Sequence, residues 1–281
     1  MEQRKIDIVI NNPNISDKAK QAVLGLFKES DKISFGKISA RAEGYIYSSI
    51  GYPRCTAVLQ MDGSRAAALL EWAKREVVED AKERLKYELK NTGYLTNSVI
   101  DSLLNLALES PDKQRNSSAV TGSGVHDNIE KDLNHQESVL DEPLKLFRQI
   151  WKKEGVELIC TEMPVVYRDA NGHGFGGKLD ILAYKDDEFF IYDNKTSRSV
   201  HGSYCLQTSA YAKAVEQMSG GLIKISGAKI IHLPNVAELK DWQLKQHKKM
   251  GNLIECRNME EAFKHFHLLL EQYYMRNNKY F

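Results

Sequence analysis

No apolar run in this chain approaches the roughly 20 residues that a membrane span needs. The opening Met1-Glu2-Gln3-Arg4-Lys5 starts no signal peptide. Both absences predict an intracellular protein with no membrane partner. Cysteine is scarce: Cys55, Cys160, Cys205 and Cys256 lie far apart with no C-x-x-C pair. That spacing lacks the usual zinc pattern, and a chain this long needs no disulfide framework. An iron–sulfur cluster is not expected either, because only Cys256 falls late in the chain. The four residues read as buried, reduced, apolar thiols. Net charge is also nearly absent, with 39 Lys and Arg against 38 Asp and Glu, so any basic surface for nucleic acid must be local. No internal repeat or low-complexity tract occurs. A hydrophobic fraction of 42% and a charged fraction of 27% exclude a disordered chain. The 281 residues suffice for one large core, or a core with a helical extension.

Along the chain, Ile6 to Ile10 is a short apolar run. Ser16 has the chemistry of a helix N-cap, with Ala19, Ala22, Val23, Leu26 and Phe27 following at helical spacing. Ser64 can cap a long helix whose stripe is Ala66, Leu69, Leu70, Ala73 and Val77. A third helix is expected over Asn97 to Leu108. The polar residues 109–118 read as a loop, which divides a helical N-terminal region (1–114) from a catalytic core (115–281). Helices then cover about Ala119 to Leu133 and the stretch after Asp141, the latter stopped by Gly155. Beyond it the period changes. Val156 to Cys160, Met163 to Tyr167, Leu179 to Tyr184 and Glu188 to Asp193 are short β-rich runs. Turns at 171–174 and 185–187 separate them, so an antiparallel meander is expected. A helix over Ser203 to Met218, a strand over Lys229 to Leu233 and a helix from Met259 to about Tyr274 complete an α/β architecture, a mixed sheet flanked by helices.

Two of those strands carry acids where a strand core wants none. Asp180 interrupts one, and Asp193-Asn194-Lys195 ends the next. Side chains two apart on a strand share a face, so Asp193 and Lys195 project together. Carboxylates can hold a divalent metal that activates water, and a cation beside them can stabilise charge on a phosphate. A pair of strand-end acids with a surface lysine is the plain alternative. On the following helix Gln207 and Tyr211 are four apart and share a face. They can hydrogen-bond a phosphate or a metal-bound water, or else be a core tyrosine and an exposed glutamine. Upstream, Gly122-Ser123-Gly124-Val125-His126 places an imidazole four residues after a helical glycine. Two glycines in a helix suggest close approach of another backbone. His126 is either a core histidine or a metal ligand beside carboxylates.

Taken in order, Gly122 to His126, Gly177 to Asp180, Asp193 to Lys195 and Gln207 to Tyr211 resemble the RecB-type branch of the PD-(D/E)XK nuclease superfamily, over roughly residues 119–215. The segment Gly51-Tyr52-Pro53-Arg54-Cys55-Thr56 is similar to the lead-in of a subgroup of phage exonucleases and mitochondrial genome maintenance exonucleases. Arg54 and Cys55 replace that subgroup's usual serine and valine. The resemblance implies a restriction-endonuclease-like core, with the N-terminal helices packed on it and shaping a DNA channel. It implies one or two Mg²⁺ or Mn²⁺ ions held by His126, Asp180, Asp193 and the Asn194 backbone carbonyl, with Glu162 a further candidate. Asp180, Asp193 and Lys195 would be catalytic. Gln207 and Tyr211 would help hold the substrate.

The implied activity is a metal-dependent deoxyribonuclease, an exonuclease on single-stranded or end-containing DNA. An endonuclease of the same superfamily and a non-catalytic DNA-binding scaffold are the alternatives. The implied setting is the cytoplasm of a bacterial or phage-infected cell, with a replication or recombination protein as a candidate partner. Thr196, Ser197 and Arg198 follow the lysine and are either phosphate contacts or plain loop. His173 and His201 read as surface histidines. Lys240, Lys245, Lys248 and Lys249 around Trp242 form either a DNA-backbone contact or a solvated helix face.

Overall fold

In the computed structural model, residues 3–40, 42–236, 239 and 241–277 are described. The first two helices are α1 (Gln3–Ile10) and α2 (Asp17–Ser30). Ser16 caps α2 as its sequence suggests, its hydroxyl accepting from the Ala19 amide. The hydroxyl of Ser16 also meets that of Tyr184 at 3.0 Å, which ties this helix to the sheet. Next comes an antiparallel three-stranded sheet, β1 (Ser34–Ser39), β2 (Ala42–Tyr47) and β3 (Ile50–Pro53). It is unmarked in the sequence because Gly36, Gly44 and Gly51 break its apolar alternation. One turn of helix, α3 (Cys55–Leu59), follows.

The chain forms two compact units: residues 1–61 with 125–281, and residues 62–124. The boundary expected at 114/115 falls inside the second of these units. Val9, Val23, Leu26, Phe27, Val58 and Leu59 share one buried cluster with sheet residues of the core, so the N-terminal segment to Met61 belongs to that core. The smaller unit holds α4 (Gly63–Thr92), α5 (Asn97–Leu108) and the first half of α6 (Ser110–Leu133). Helix α4 begins at Gly63, so Ser64 lies within its first turn; the side chains of Ser64, Arg65 and Ala66 lie outside the described residues. The stripe expected inside it is exposed at Leu69 and Leu70. Residues 110–118 are helix rather than loop. Pro111 suits the first turn of a helix, where its missing N–H costs no bond.

In the larger unit, α7 (Glu142–Glu154) is capped by Asp141 and stopped by Gly155 at φ 58°. Then β4 (Glu157–Arg168), β5 (Gly174–Lys185) and β6 (Glu188–Lys195) make the expected antiparallel meander. Asp186 and Asp187, both at positive φ, form the two-residue hairpin turn between the last two. Helix α8 (Ser203–Met218) crosses over to β7 (Ile225–His232), which lies parallel to β6. After α9 (Asp241–Met250), β8 (Leu253–Glu255) adds an antiparallel edge, and α10 (Met259–Asn277) ends the described chain. Lys240 and the side chain of Trp242, part of the lysine-rich reading, lie outside the described residues.

The five-stranded sheet is covered on both faces. Residues of α2, α3, α8 and α10 form the larger buried cluster on one side. Val125, Ile129 and Leu133 of α6, with Leu144 and Phe147 of α7, form the other. The fold is thus mixed α/β, with sheets of three and five strands flanked by helices. No helix among the described residues is long and apolar enough to cross a membrane. One thiol expectation is overturned: Cys205 and Cys256 form a disulfide, their Cα atoms 5.3 Å apart, joining α8 to the segment after β8. Cys55 and Cys160 are buried and in no disulfide.

Candidate active site

The site is built where strand alternation slips. Cys160 and Met163, three residues apart, both belong to the larger core cluster, and so do Leu179 and Leu182 on the next strand. Regular alternation would set each pair on opposite faces. On β4 the slip falls at Glu162, a non-glycine residue at φ 50°. The ladder pairs Thr161 with Ile181 and Met163 with Leu179, so Glu162 and Asp180 stand opposite one another between those pairs. A left-handed residue re-aims a side chain and strains the strand locally, a device that clusters at functional sites.

His126 approaches from α6, its Nδ1 3.3 Å from Asp180 Oδ2. One donor atom from each of His126, Glu162 and Asp180 lies within 4.8 Å of the other two. Glu162, the outlying candidate in the sequence, is therefore a full member of this cluster, and Lys178 pairs with it at 2.5 Å. Asp180 Oδ2 also accepts the Asn194 backbone N–H at 2.8 Å.

Asp193 occupies the neighbouring strand, outside that three-residue cluster. Asp180 and Asp193 flank the last pair of their ladder, Ile181 opposite Tyr192. Lys195 makes an ion pair with Asp193 Oδ2, as their shared strand face requires. The same ammonium lies 5.2 Å from the centre of the Tyr204 ring. Burial alone would lower the Lys195 pKa, but the charges of Asp193 and Asp180 outweigh it and hold the ammonium above its usual range. The lysine is a fixed cation. Asp193 is fully buried, yet its Oδ1 has no hydrogen-bond partner among the described residues; its Oδ2 meets Lys195 as an ion pair without hydrogen-bond direction. An orphaned buried carboxylate oxygen beside a His/Glu/Asp cluster is a donor set that suits a hard divalent cation.

Asp180 is pushed up to about 7, first by burial and next by the charge of Asp193. Its unfolded counterpart titrates near 3.8. The folded, metal-free protein therefore keeps a proton that the unfolded chain has lost, so this group's contribution to stability falls as pH rises from about 4 to about 7. Thermal unfolding in EDTA is expected to show the Asp180→Asn variant more stable than the parent above pH 7, with the gap closing toward pH 4. A gap that does not change with pH would contradict the assigned burial and repulsion.

Gln207 and Tyr211 sit on α8 as expected and bond to each other, Gln207 Nε2 donating to the Tyr211 hydroxyl at 3.1 Å. Tyr211 is buried directly over Gly177: a Cβ there would fall 2.3 Å from its Cε1. The phenol is raised well above its usual range by burial and then by Cys55, so it stays neutral. The Cys55 thiol is raised likewise by burial and next by Asp193. Of the three residues after the lysine, Ser197 is committed to the loop itself. Its hydroxyl donates to Ser199 O at 2.8 Å and accepts from Tyr204 at 2.8 Å, while its carbonyl meets His232 Nε2 at 2.7 Å. Thr196 and Arg198 are half-buried in the same loop. His173 stacks on Tyr274 at 4.4 Å and His201 meets Tyr204 edge-on, so each has a structural place. Gly124 does not bring in another backbone: a Cβ there would meet nothing within 4 Å among the described residues.

Sequence reasoning missed Tyr45, Tyr52, Lys178 and Tyr204. The available signal was Gly174-Phe175-Gly176-Gly177, a strand start stripped of side chains. Tyr52 presses on Gly174 and Tyr45 on Gly176, while Tyr211 presses on Gly177 from α8. No family model and no curated protein matches the chain.

Proposed function

We propose that this chain is a metal-dependent deoxyribonuclease with a PD-(D/E)XK core, acting as an exonuclease on single-stranded DNA or DNA with free ends. The observation that carries the reading is the meeting of His126, Glu162 and Asp180 beside the Asp193–Lys195 ion pair. Those acids lie on adjacent strands, so backbone pairing rather than flexible side chains sets their spacing.

His126, Glu162, Asp180 and Asp193 would hold Mg²⁺ or Mn²⁺, with the Asn194 carbonyl as a further oxygen donor. A bound divalent ion supplies Lewis acidity toward phosphate and lowers the pKa of water. Lys195 donates hydrogen bonds to a phosphoryl oxygen or to the attacking water, and its position is fixed by Asp193 and the Tyr204 face. Gln207 keeps a side-chain carbonyl for a polar contact while its amide holds Tyr211. Tyr211 in turn fixes the distance between α8 and β5 through Gly177.

Digestion of end-labelled linear and circular single-stranded DNA in Mg²⁺ or Mn²⁺ tests the reading. Linear strands are expected to be degraded and circles to survive. Circles cut as fast as linear strands would replace the exonuclease with an endonuclease.

A further inference from the structure

The small sheet β1–β3 presents an aromatic and cationic surface beside β5, the strand that carries Asp180. Phe35 and Tyr45 are cross-strand partners and share a face. Their rings meet edge-on at 5.3 Å. Phe35 is 52% exposed, so its ring is open to a ligand. The Arg54 guanidinium lies 5.7 Å from the centre of the same ring. Arg54 is anchored by a backbone bridge to Gly176, and Tyr45 sits directly over that glycine. Lys178, exposed and paired with Glu162, is two residues further along β5, and Asp180 two beyond that. From Gly176 to Asp180 the strand rises roughly 13 Å, the length of about four stacked nucleotides. A cleft of about 430 Å³ opens beside the platform, lined among others by Lys37, Arg54 and Tyr273.

We propose that Phe35 and Arg54 form a landing platform for single-stranded nucleic acid, with one base stacked on Phe35 and the adjoining phosphates against Arg54 and Lys37. A base stacks on an aromatic face whatever its identity, and an arginine beside that face adds both a cation–π contact and a phosphate contact. The strand then runs over Tyr45 and past Lys178 to the carboxylates. This couples the platform to the chemistry through one rigid strand. It also explains the glycines at 174 and 176: side chains there would push Tyr52 and Tyr45 off the sheet and break the track. The inference rests on the nuclease reading, and the experiment separates the two.

The test is binding of a fluorescein-labelled single-stranded DNA containing 2-aminopurine, in Ca²⁺ so that the probe is not cleaved. Anisotropy gives affinity, and 2-aminopurine quenching reports stacking. Phe35→Ala is expected to weaken binding roughly tenfold and to abolish the quench at one probe position. An abasic probe at that position is expected to bind parent and variant alike, which a merely structural role for Phe35 would not produce. Arg54→Ala is expected to reduce the slope of log affinity against log salt by about one. If Phe35→Ala and Arg54→Ala bind as tightly as the parent, the platform is overturned and the nuclease reading stands. If the parent binds no single-stranded DNA, the platform is overturned and the single-strand part of the nuclease reading falls with it, while Mn²⁺-dependent cleavage of duplex ends decides the rest.

Discussion

Lys195→Ala is expected to lower the rate of DNA cleavage by at least roughly 10²–10³-fold while Mn²⁺ affinity is kept or rises. The reason lies in the geometry. The ammonium is pinned between Asp193 and the Tyr204 ring, and is held protonated by two carboxylates in spite of burial, so no water can take over its place and charge. The substitution also leaves Asp193 buried without its counter-ion. Breaking such a pair costs about 3–5 kcal/mol, so the metal-free variant is expected to melt earlier, with Mn²⁺ restoring much of the loss. Rates are therefore to be compared in saturating Mn²⁺, below the variant's melting transition. Single-turnover cleavage, with Mn²⁺ affinity measured by calorimetry, separates the two effects. Undiminished cleavage would remove Lys195 from the chemistry.

Gly177→Ala is the second substitution with a large expected effect, although it removes no functional group. The new methyl would sit 2.3 Å from Tyr211 Cε1 and 2.7 Å from its hydroxyl oxygen. Tyr211 is only 3% exposed, so its ring has nowhere to swing without displacing α8. Overpacking of this kind costs about 1–3 kcal/mol, and here the strand that moves carries Asp180. A fall in melting temperature is expected together with a loss of cleavage of about a hundredfold, since a 1 Å displacement of a catalytic group can cost that much. The double variant Gly177→Ala/Tyr211→Ala makes room for the methyl and is expected to recover stability relative to Gly177→Ala. Failure of that recovery would show that the conflict lies elsewhere.

The part of the site carried by acids on strands was legible in the sequence, because a carboxylate inside an apolar β run conflicts with burial and calls for a partner. Asp180, Asp193 and Lys195 announced themselves in this way. The break between the runs ending at Cys160 and starting at Met163 was also visible. Its cause was not: a single strand continues through Glu162 in a left-handed conformation, and only the pairing across to β5 sets that side chain opposite Asp180. The strands β1–β3 were hidden because their glycines replace the apolar alternation that marks a strand. Those glycines exist for contacts made in three dimensions, such as Ile38 packing over Gly44 and Gly51. The start of helix α6 was hidden because Ser-Pro-Asp-Lys-Gln-Arg-Asn-Ser-Ser has loop composition, although its proline lies where a helix start tolerates one. The Cys205–Cys256 bridge joins residues 51 apart in sequence, a proximity that no spacing rule encodes.

The central claim is that these carboxylates, with Lys195, form a metal-dependent phosphodiester-hydrolysing centre. The most direct measurement is release of labelled nucleotide from linear single-stranded DNA by the purified chain and by Asp193→Asn, each in Mn²⁺ and in EDTA. Release by the parent in Mn²⁺ alone, with none from the variant in either condition, is the expected result. Absence of Mn²⁺-dependent release by the parent, or equal release by Asp193→Asn, would contradict it.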